Sequence, residues 1–160
     1  MTLNEFFAGS LKGSLEMLKM HLGDMTDADL MLRPAPGANH ANWQIGHLIA
    51  SEVYLVTKAG GKAVELPAGF AEMYSKETVK SDDPSKFARK ADLIATFEKV
   101  RAGTIAWAKG LTMAQLEAPS PMPNFLPTVA DLANLGNLHI AMHLGQIQVL
   151  RRKLGKPVLF

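Results

Sequence analysis

The stretch TVADLANLGNLHIAMHLGQIQVLRRKL, residues 128–154, is the longest helical segment that the sequence predicts. Thr128 to Asp131 resemble a capping box, with Asp in the place that Glu usually takes, and Gly155 follows as a stop signal. His139 and His143 lie within this segment, four residues apart. Residues with this spacing share one face of a helix, so both imidazoles point the same way.

Three further long helices are predicted upstream of this segment. The first runs from Leu3 to Leu22, the second runs to Lys58 with Asn42 as its N-cap, and the third runs from Ala91 to Lys109. Apolar residues recur in them at spacings of three and four, as expected for amphipathic helices. In the first helix these residues are Leu3, Phe7, Leu11, Leu15, Leu18 and Leu22.

The connections between these helices indicate how they are arranged. Ala59 to Ala88 form a long crossover that contains glycine, proline and charged residues without a sustained period, and a proline-rich loop spans Pro119 to Pro127. A long crossover after the second helix suits a bundle with parallel neighbours better than a simple hairpin. Because strand-like alternation is absent, we predict an all-α four-helix bundle that forms a single domain over residues 1–160.

The composition narrows the classes of function. The chain has 17 basic and 15 acidic residues, a net charge of +2, and no dense basic run, so we expect no nucleic-acid partner. It contains no cysteine, which excludes disulfides, iron–sulfur clusters and thiolate zinc sites. The N-terminus does not resemble a signal peptide, and no apolar run is long enough to span a bilayer. We therefore expect a cytoplasmic protein without a membrane partner.

A third histidine suggests a metal site. His47 lies within Trp43-Gln44-Ile45-Gly46-His47-Leu48, in the apolar second helix. Imidazole is the commonest metal ligand in proteins, and three protein ligands leave a metal with an open position. Three neutral imidazoles leave the charge of the metal intact, so that it can lower the pKa of bound water to about 7 or hold a thiol as thiolate. This ligand set permits zinc, nickel, iron or copper.

Two motifs together resemble the DinB/YfiT-like superfamily of four-helix-bundle domains. They are Trp43-Gln44-Ile45-Gly46-His47-Leu48 in the second helix and His139-xxx-His143-x-Gly145-Gln146 in the last. The chain length, the number of helices and the position of the crossover agree with this resemblance, which covers essentially the whole chain. It implies an up-down-down-up bundle that is often a homodimer. It also implies a divalent metal, typically zinc or nickel, held by His47, His139 and His143.

The same resemblance implies a class of chemistry. Characterised relatives include transferases and isomerases that use low-molecular-weight thiols, such as bacillithiol or mycothiol, with a small-molecule substrate. The residues themselves exclude other reactions. Ile140 follows His139, so the HExxH signature of metalloproteases is missing. Walker-type phosphate loops and the GxSxG nucleophile elbow are also absent from the sequence.

Residues near the histidines are candidates for substrate contact or proton transfer. Gln146 follows His143 by three residues and His139 by seven, so it shares their helix face. Tyr54 lies two turns beyond His47, with Ser51 one turn beyond it. Gln146 and Tyr54 are the candidate catalytic residues.

Other polar residues are expected to have structural roles. Trp43 is predicted to anchor the core or line a pocket, and His21 and His40 to lie on the surface or in loops, although His40 precedes the second helix and could reach the mouth of the site. Arg101 faces the apolar stripe of the third helix, from which it either extends to water or contacts an anionic substrate. By helical position, Glu52 and Asp131 do not share the histidine faces.

Three functions are compatible with the sequence. The first is a metal-dependent enzyme, most readily a thiol-dependent transferase or a related isomerase. The second is a metal-dependent hydrolase. The third is a non-catalytic bundle in which the metal is structural, or in which the pocket binds or senses a ligand.

Overall fold

A computed structural model of the protein describes residues 1–159, and its regular structure is helical. Within this range there is no strand, only one isolated antiparallel bridge between Pro119 and Thr128. Seven α-helices are present: α1 (Leu3–Leu22), α2 (Asp27–Leu30), α3 (Ala41–Lys58), α4 (Phe70–Met73), α5 (Lys90–Gly110), α6 (Met113–Glu117) and α7 (Val129–Lys153). The four long helices are the four that the sequence predicts, which confirms the all-α class.

The long helices pack as two pairs around a common core. α1 packs mainly against α5 and α7, and α3 packs against the same two helices. Leucines of α1 and aromatic residues of α3 and α5 fill the space between them, including Leu18, Leu22, Trp43 and Phe97. Because α3 and α7 are neighbours, the two histidine motifs face each other across the bundle. Across residues 1–159, no helix combines the length and hydrophobicity that a transmembrane segment needs.

The start of α3 differs from the prediction. Asn42 is not the N-cap; His40 takes that position, and its Nδ1 accepts a hydrogen bond from the backbone N–H of Trp43 at 3.0 Å. The side chain of Asn42 is used elsewhere, because its Nδ2 donates to the carbonyl of Ala88 and its Oδ1 accepts from the hydroxyl of Tyr74. The helix therefore begins earlier than predicted, at Ala41.

The crossover is more ordered than its sequence suggests. It contains α4 and a 3₁₀ turn, Pro84–Lys86, and its Tyr74 is buried against α3. The hydroxyl of Tyr74 also accepts a hydrogen bond from the backbone N–H of Ala88 at 3.0 Å. The Tyr74 ring lies over Gly46 so closely that a Cβ atom there would come within 2.2 Å of it. Gly46 is thus required for the crossover to pack beside His47.

Candidate metal centre

His47 from α3 and the pair His139 and His143 from α7 come together in the bundle. One ring nitrogen from each residue lies within 4.8 Å of the other two. The Nε2 atoms of His139 and His143 are 3.3 Å apart, and the His47 ring lies edge-on to both. Among residues 1–159 no carboxylate joins this group, so the three predicted ligands form a cluster without a fourth protein ligand.

The tautomer of His143 is determined by Gln44. The Gln44 amide donates from Nε2 to the carbonyl of Asn39 at 2.7 Å, which orients its Oε1 toward His143. His143 Nδ1 lies 2.8 Å from this Oε1 and must donate a proton to it. The remaining nitrogen of His143, Nε2, then carries a lone pair that points toward the cluster, as a metal ligand requires.

His47 is held by its own helix. The Trp43 ring stacks on it at 4.9 Å with only 10° between the ring planes. The Trp43 indole is in turn anchored to the crossover, because its Nε1 donates to the carbonyl of Ser75 and to the hydroxyl of Thr78. Ser51, one helical turn beyond His47, places its Oγ 3.5 Å from His47 Nδ1. Trp43 is therefore both a core anchor and a wall of the site.

Burial keeps the three imidazoles neutral. Removal from water is the largest cause that lowers the pKa of His47, His139 and His143. For His139 and His143 the neighbouring imidazoles act in the same direction, because a second positive charge in the cluster would be repelled, and the two causes together lower the pKa of each residue to about 4. At neutral pH the cluster therefore presents lone pairs rather than protons.

This arrangement fits a divalent transition metal. Nitrogen ligands bind zinc at about 2.0–2.1 Å, so two of them at a tetrahedral centre lie about 3.3–3.4 Å apart. The His139–His143 separation of 3.3 Å matches this value. Three neutral nitrogen donors, one of them oriented by an amide, are the type of ligand set that zinc, nickel, copper or iron accept. The three histidines are the residues that would hold the ion.

A cavity between α3, α5 and α7 adjoins the cluster. It is narrow, with a volume of about 20 Å³ that has room for about one water molecule, and His139 forms part of its wall. Its polar lining also includes Glu52 and Thr104. The rest is mostly apolar and includes Leu48, Leu55, Val56, Trp107, Leu132 and Ile140.

Arg101 does not reach water or an open site, contrary to both alternatives from the sequence. Its guanidinium is 1% exposed and its Nη2 lies 2.7 Å from Oε2 of Glu52, which is itself 6% exposed. Glu52 is not a member of the histidine group, as predicted, but it lines the cavity that His139 also lines. Asp131 lies at the start of α7, where it completes the capping box with Thr128.

The two candidate catalytic residues lie on the surface. Tyr54 is 58% exposed, and the ammonium of Lys58 lies over its ring. Gln146 is also exposed. The glutamine that contacts His143 is Gln44, for which no role was predicted from the sequence. Each helical turn advances about 5.4 Å along the axis, so Tyr54 shares a helix face with His47 but lies two turns away from it.

Two further histidines were predicted wrongly. His40 is fully buried, since it caps α3 and its Nε2 donates to the carbonyl of Ser81 at 3.2 Å. His21 is buried at the end of α1, with its Nδ1 2.8 Å from the carbonyl of Met17. Neither residue belongs to the histidine group.

Comparisons with known proteins found a family model and a solved structure that are similar to this chain. The sequence model of the DinB superfamily matches residues 10–147. A solved structure described as a conserved protein from Enterococcus faecalis is similar over 98% of this chain and 99% of that one, with 17% sequence identity and a TM-score of 0.66. At this identity the likeness concerns the fold alone. No curated protein sequence matches the chain.

Proposed function

The chain belongs to the DinB superfamily, and on that premise we propose that it is a metal-dependent enzyme whose divalent ion is held by His47, His139 and His143. The observation that carries the proposal is the convergence of three neutral imidazoles, one buried and two half-buried, with no fourth protein ligand within the described chain. Such a set leaves a position free for solvent, thiol or substrate. Zinc and nickel are the ions that we propose first.

We propose thiol-dependent transfer as the reaction, with a low-molecular-weight thiol as cosubstrate. In a related isomerase the thiol would add to the substrate and then be eliminated, so that it is regenerated and the substrate keeps its composition. When bound, the ion supplies Lewis acidity, which favours the thiolate over the thiol. In a conjugation, the thiol loses its proton to solvent and its sulfur forms a bond to an electrophilic carbon. The leaving group departs with the electron pair of the bond that breaks.

The residues of the chain prepare the site in three ways. Gln44 keeps the proton of His143 on Nδ1 and so keeps Nε2 available. Trp43 covers one face of His47 and excludes water from it. The apolar residues beside His139, such as Leu48 and Ile140, keep bulk water away from this side of the site.

An assay on metal-loaded protein tests this proposal. Zinc- and nickel-loaded wild type would be given bacillithiol or mycothiol with 1-chloro-2,4-dinitrobenzene, a reaction that forms a carbon–sulfur bond and releases chloride. We expect turnover that is lost in His47→Ala and kept in His40→Asn, which changes a histidine outside the cluster and retains an N-cap side chain. Equal turnover in the wild type and His47→Ala would contradict the proposal.

Two alternatives make different predictions in the same experiment. A hydrolase, in which water occupies the free position, would cleave p-nitrophenyl acetate without thiol and with the same dependence on His47. A non-catalytic bundle with a structural metal would show no turnover of either kind. Its melting temperature would fall strongly on metal removal, because metal binding is linked to folding.

The proposal also covers the location, the substrate and the oligomeric state of the protein. We propose that the chain acts in the cytoplasm on a small molecule, and that it forms a homodimer whose four long helices run up-down-down-up in each subunit. Light scattering on the purified protein checks the dimer. The chemistry does not depend on it, because all three histidines come from one chain.

A further inference from the structure

The solvent-facing side of α7 carries no charge over most of its length. Between Asp131 and Arg151 the helix contains no Asp, Glu, Lys or Arg. Its exposed side presents Leu138, Met142 and Val149, which are 49–61% exposed and follow one another at spacings of four and seven residues. A surface helix normally places charged and polar residues on its solvent side, so this stripe departs from the usual pattern.

The adjoining side of α1 is apolar as well. α1 packs against α7, and the hydroxyl of Ser14 donates to Oδ1 of Asn137 at 3.0 Å. Lys19 turns the other way, toward α5, where it pairs with Glu98 at 2.7 Å. The large apolar residues that α1 exposes beside α7 are Phe6, Met17 and Met20, at 43–50% exposure. Together with the stripe on α7 they form one surface, the α1–α7 face.

The exposed side of α5 provides the contrast. Asp92, Glu98, Lys99 and Lys109 are exposed there, and none of the large apolar side chains of α5 is. This is the charged surface expected of a helix that faces water. The bundle therefore has a charged side at α5 and an uncharged, apolar side at α1 and α7.

Two glycines of α1 have no function within the single chain. Gly9 and Gly13 are exposed in the interior of the helix, and a Cβ atom on either would meet nothing within 4 Å. They lie one turn apart, in the same row as Met17. Glycine destabilises a helix interior relative to alanine, so a glycine without a steric reason is a cost. Close approach of a second helix from outside would supply that reason.

The size and chemistry of the α1–α7 face match a second copy of the chain. Its six large side chains are about half exposed and present an apolar area on the order of 600 Å². A stable interface buries about 800 Å² on each partner, including its polar rim. An uncharged face offers nothing to an acidic or basic partner, whereas a two-fold axis places this face against an identical one.

We infer that two copies of this chain associate through the α1–α7 face, with α1 and α7 of one copy packed on α1 and α7 of the other about a two-fold axis. The inference rests on the homodimer of the proposed function, to which it gives an interface, and it is independent of the metal and the reaction. His139 and His143 turn toward α3, where they meet His47 and Gln44. Each copy therefore keeps its own histidine cluster.

Sedimentation equilibrium of the intact, zinc-loaded chain over a concentration range of about 1–100 μM tests the interface. We expect the wild type to have twice the chain mass of 17.3 kDa. Met20→Lys with Val149→Lys puts one charge on each helix of the face, and burial of these unpaired charges should weaken association at least about 100-fold. The matched control is Leu32→Lys with Met113→Lys, two exposed apolar residues outside the face, which should remain dimeric.

Gly13→Leu separates the interface from the fold. Leucine is a good helix former, and position 13 has open space within the single chain, so helix content and melting temperature should be kept. A leucine side chain there would hold the partner helix away, and we expect association to weaken at least about tenfold. Circular dichroism and sedimentation on the same sample measure the two effects.

A wild type that is monomeric at every concentration, or a lysine or Gly13→Leu variant that associates as tightly as the wild type, would overturn the inference. A monomeric wild type that sediments with phosphatidylcholine vesicles would assign the face to a lipid surface instead. Zinc content of the same samples separates the inference from the proposed function. A dimer without zinc would contradict the metal centre and leave the interface, and a monomeric wild type with one zinc per chain would do the reverse.

Discussion

The two helical segments that contribute histidines differ in how firmly they are held. Around His47, Trp43 stacks on the imidazole and Gly46 lies directly beneath the ring of Tyr74. Around His143 on α7, Gly145 has no neighbour near its Cα hydrogen and Gln146 is exposed. His143 is oriented from across the bundle, through its hydrogen bond to Gln44 of α3. The α3 segment is therefore the rigid half of the site, and it orients the other half.

Substitution of the glycines in the two motifs gives the largest expected difference in stability between the α3 and α7 segments. Gly46→Ala would place a Cβ atom 2.2 Å from the Tyr74 ring, and such overpacking costs about 1–3 kcal/mol. Gly145→Ala meets no atom within 4 Å and should be neutral or stabilise the helix by up to about 1 kcal/mol. Urea denaturation of both metal-free variants measures this contrast. Equal stabilities would show that the crossover does not constrain α3.

Substitution of the glutamines in the two motifs gives the next largest difference, in metal affinity. Gln44→Leu removes the acceptor of the His143 Nδ1 proton, and loss of such an orienting partner lowers metal affinity roughly 10–100-fold. Gln146→Leu, the matched change on α7, should alter affinity less than about twofold because its side chain is exposed. Competition with a chromophoric zinc chelator measures both constants. A larger loss of zinc affinity in Gln146→Leu than in Gln44→Leu would show that Gln146 acts at the site and that Gln44 does not orient His143.

The smallest expected effect is the contribution of His40 to the pH dependence of stability. Burial, with Arg33 acting in the same direction, lowers the pKa of His40 below its usual value of 6.5, so its Nδ1 remains free to cap α3. The unfolded chain takes up a proton that the folded chain does not, so this residue's contribution is present above about pH 6.5 and is lost as the pH falls below it.

Comparison with His40→Asn isolates this contribution. Both metal-free proteins would be unfolded in urea at intervals from pH 7.5 to pH 5, where the cluster histidines contribute equally to the two curves. We expect a shallower loss of stability over this range in His40→Asn than in the wild type. Parallel curves would mean that His40 does not titrate differently in the folded and unfolded states.

The sequence predicted what depends on local periodicity. The leucine spacing of α1 gave its bounds, Leu3–Leu22, because its apolar face is buried from Phe7 to Leu22 and the helix packs against α5 and α7. The meeting of His47 with His139 and His143 was predicted because each motif lies on a buried face and the two resemble one family. Membership of the DinB superfamily is confirmed.

What the sequence missed depends on contacts between distant segments. Asn42 has the character of an N-cap, but its side chain bonds to Ala88 and Tyr74, which lie more than 30 residues away. Gln44 precedes His47 by three residues, yet its partner His143 is 99 residues further along the chain. Helical spacing likewise placed Tyr54 on the same helix face as His47, but two turns of about 5.4 Å each separate the two residues along the axis.

The most direct test of the account is the metal content of untagged protein, measured by mass spectrometry for wild type, His47→Ala and His40→Asn after incubation with zinc or nickel and desalting. The account predicts about one ion per chain in the wild type and in His40→Asn, and a loss of bound ion in His47→Ala. No bound ion in any of the three proteins, or equal amounts in all of them, would contradict the claim that these three histidines form a metal centre.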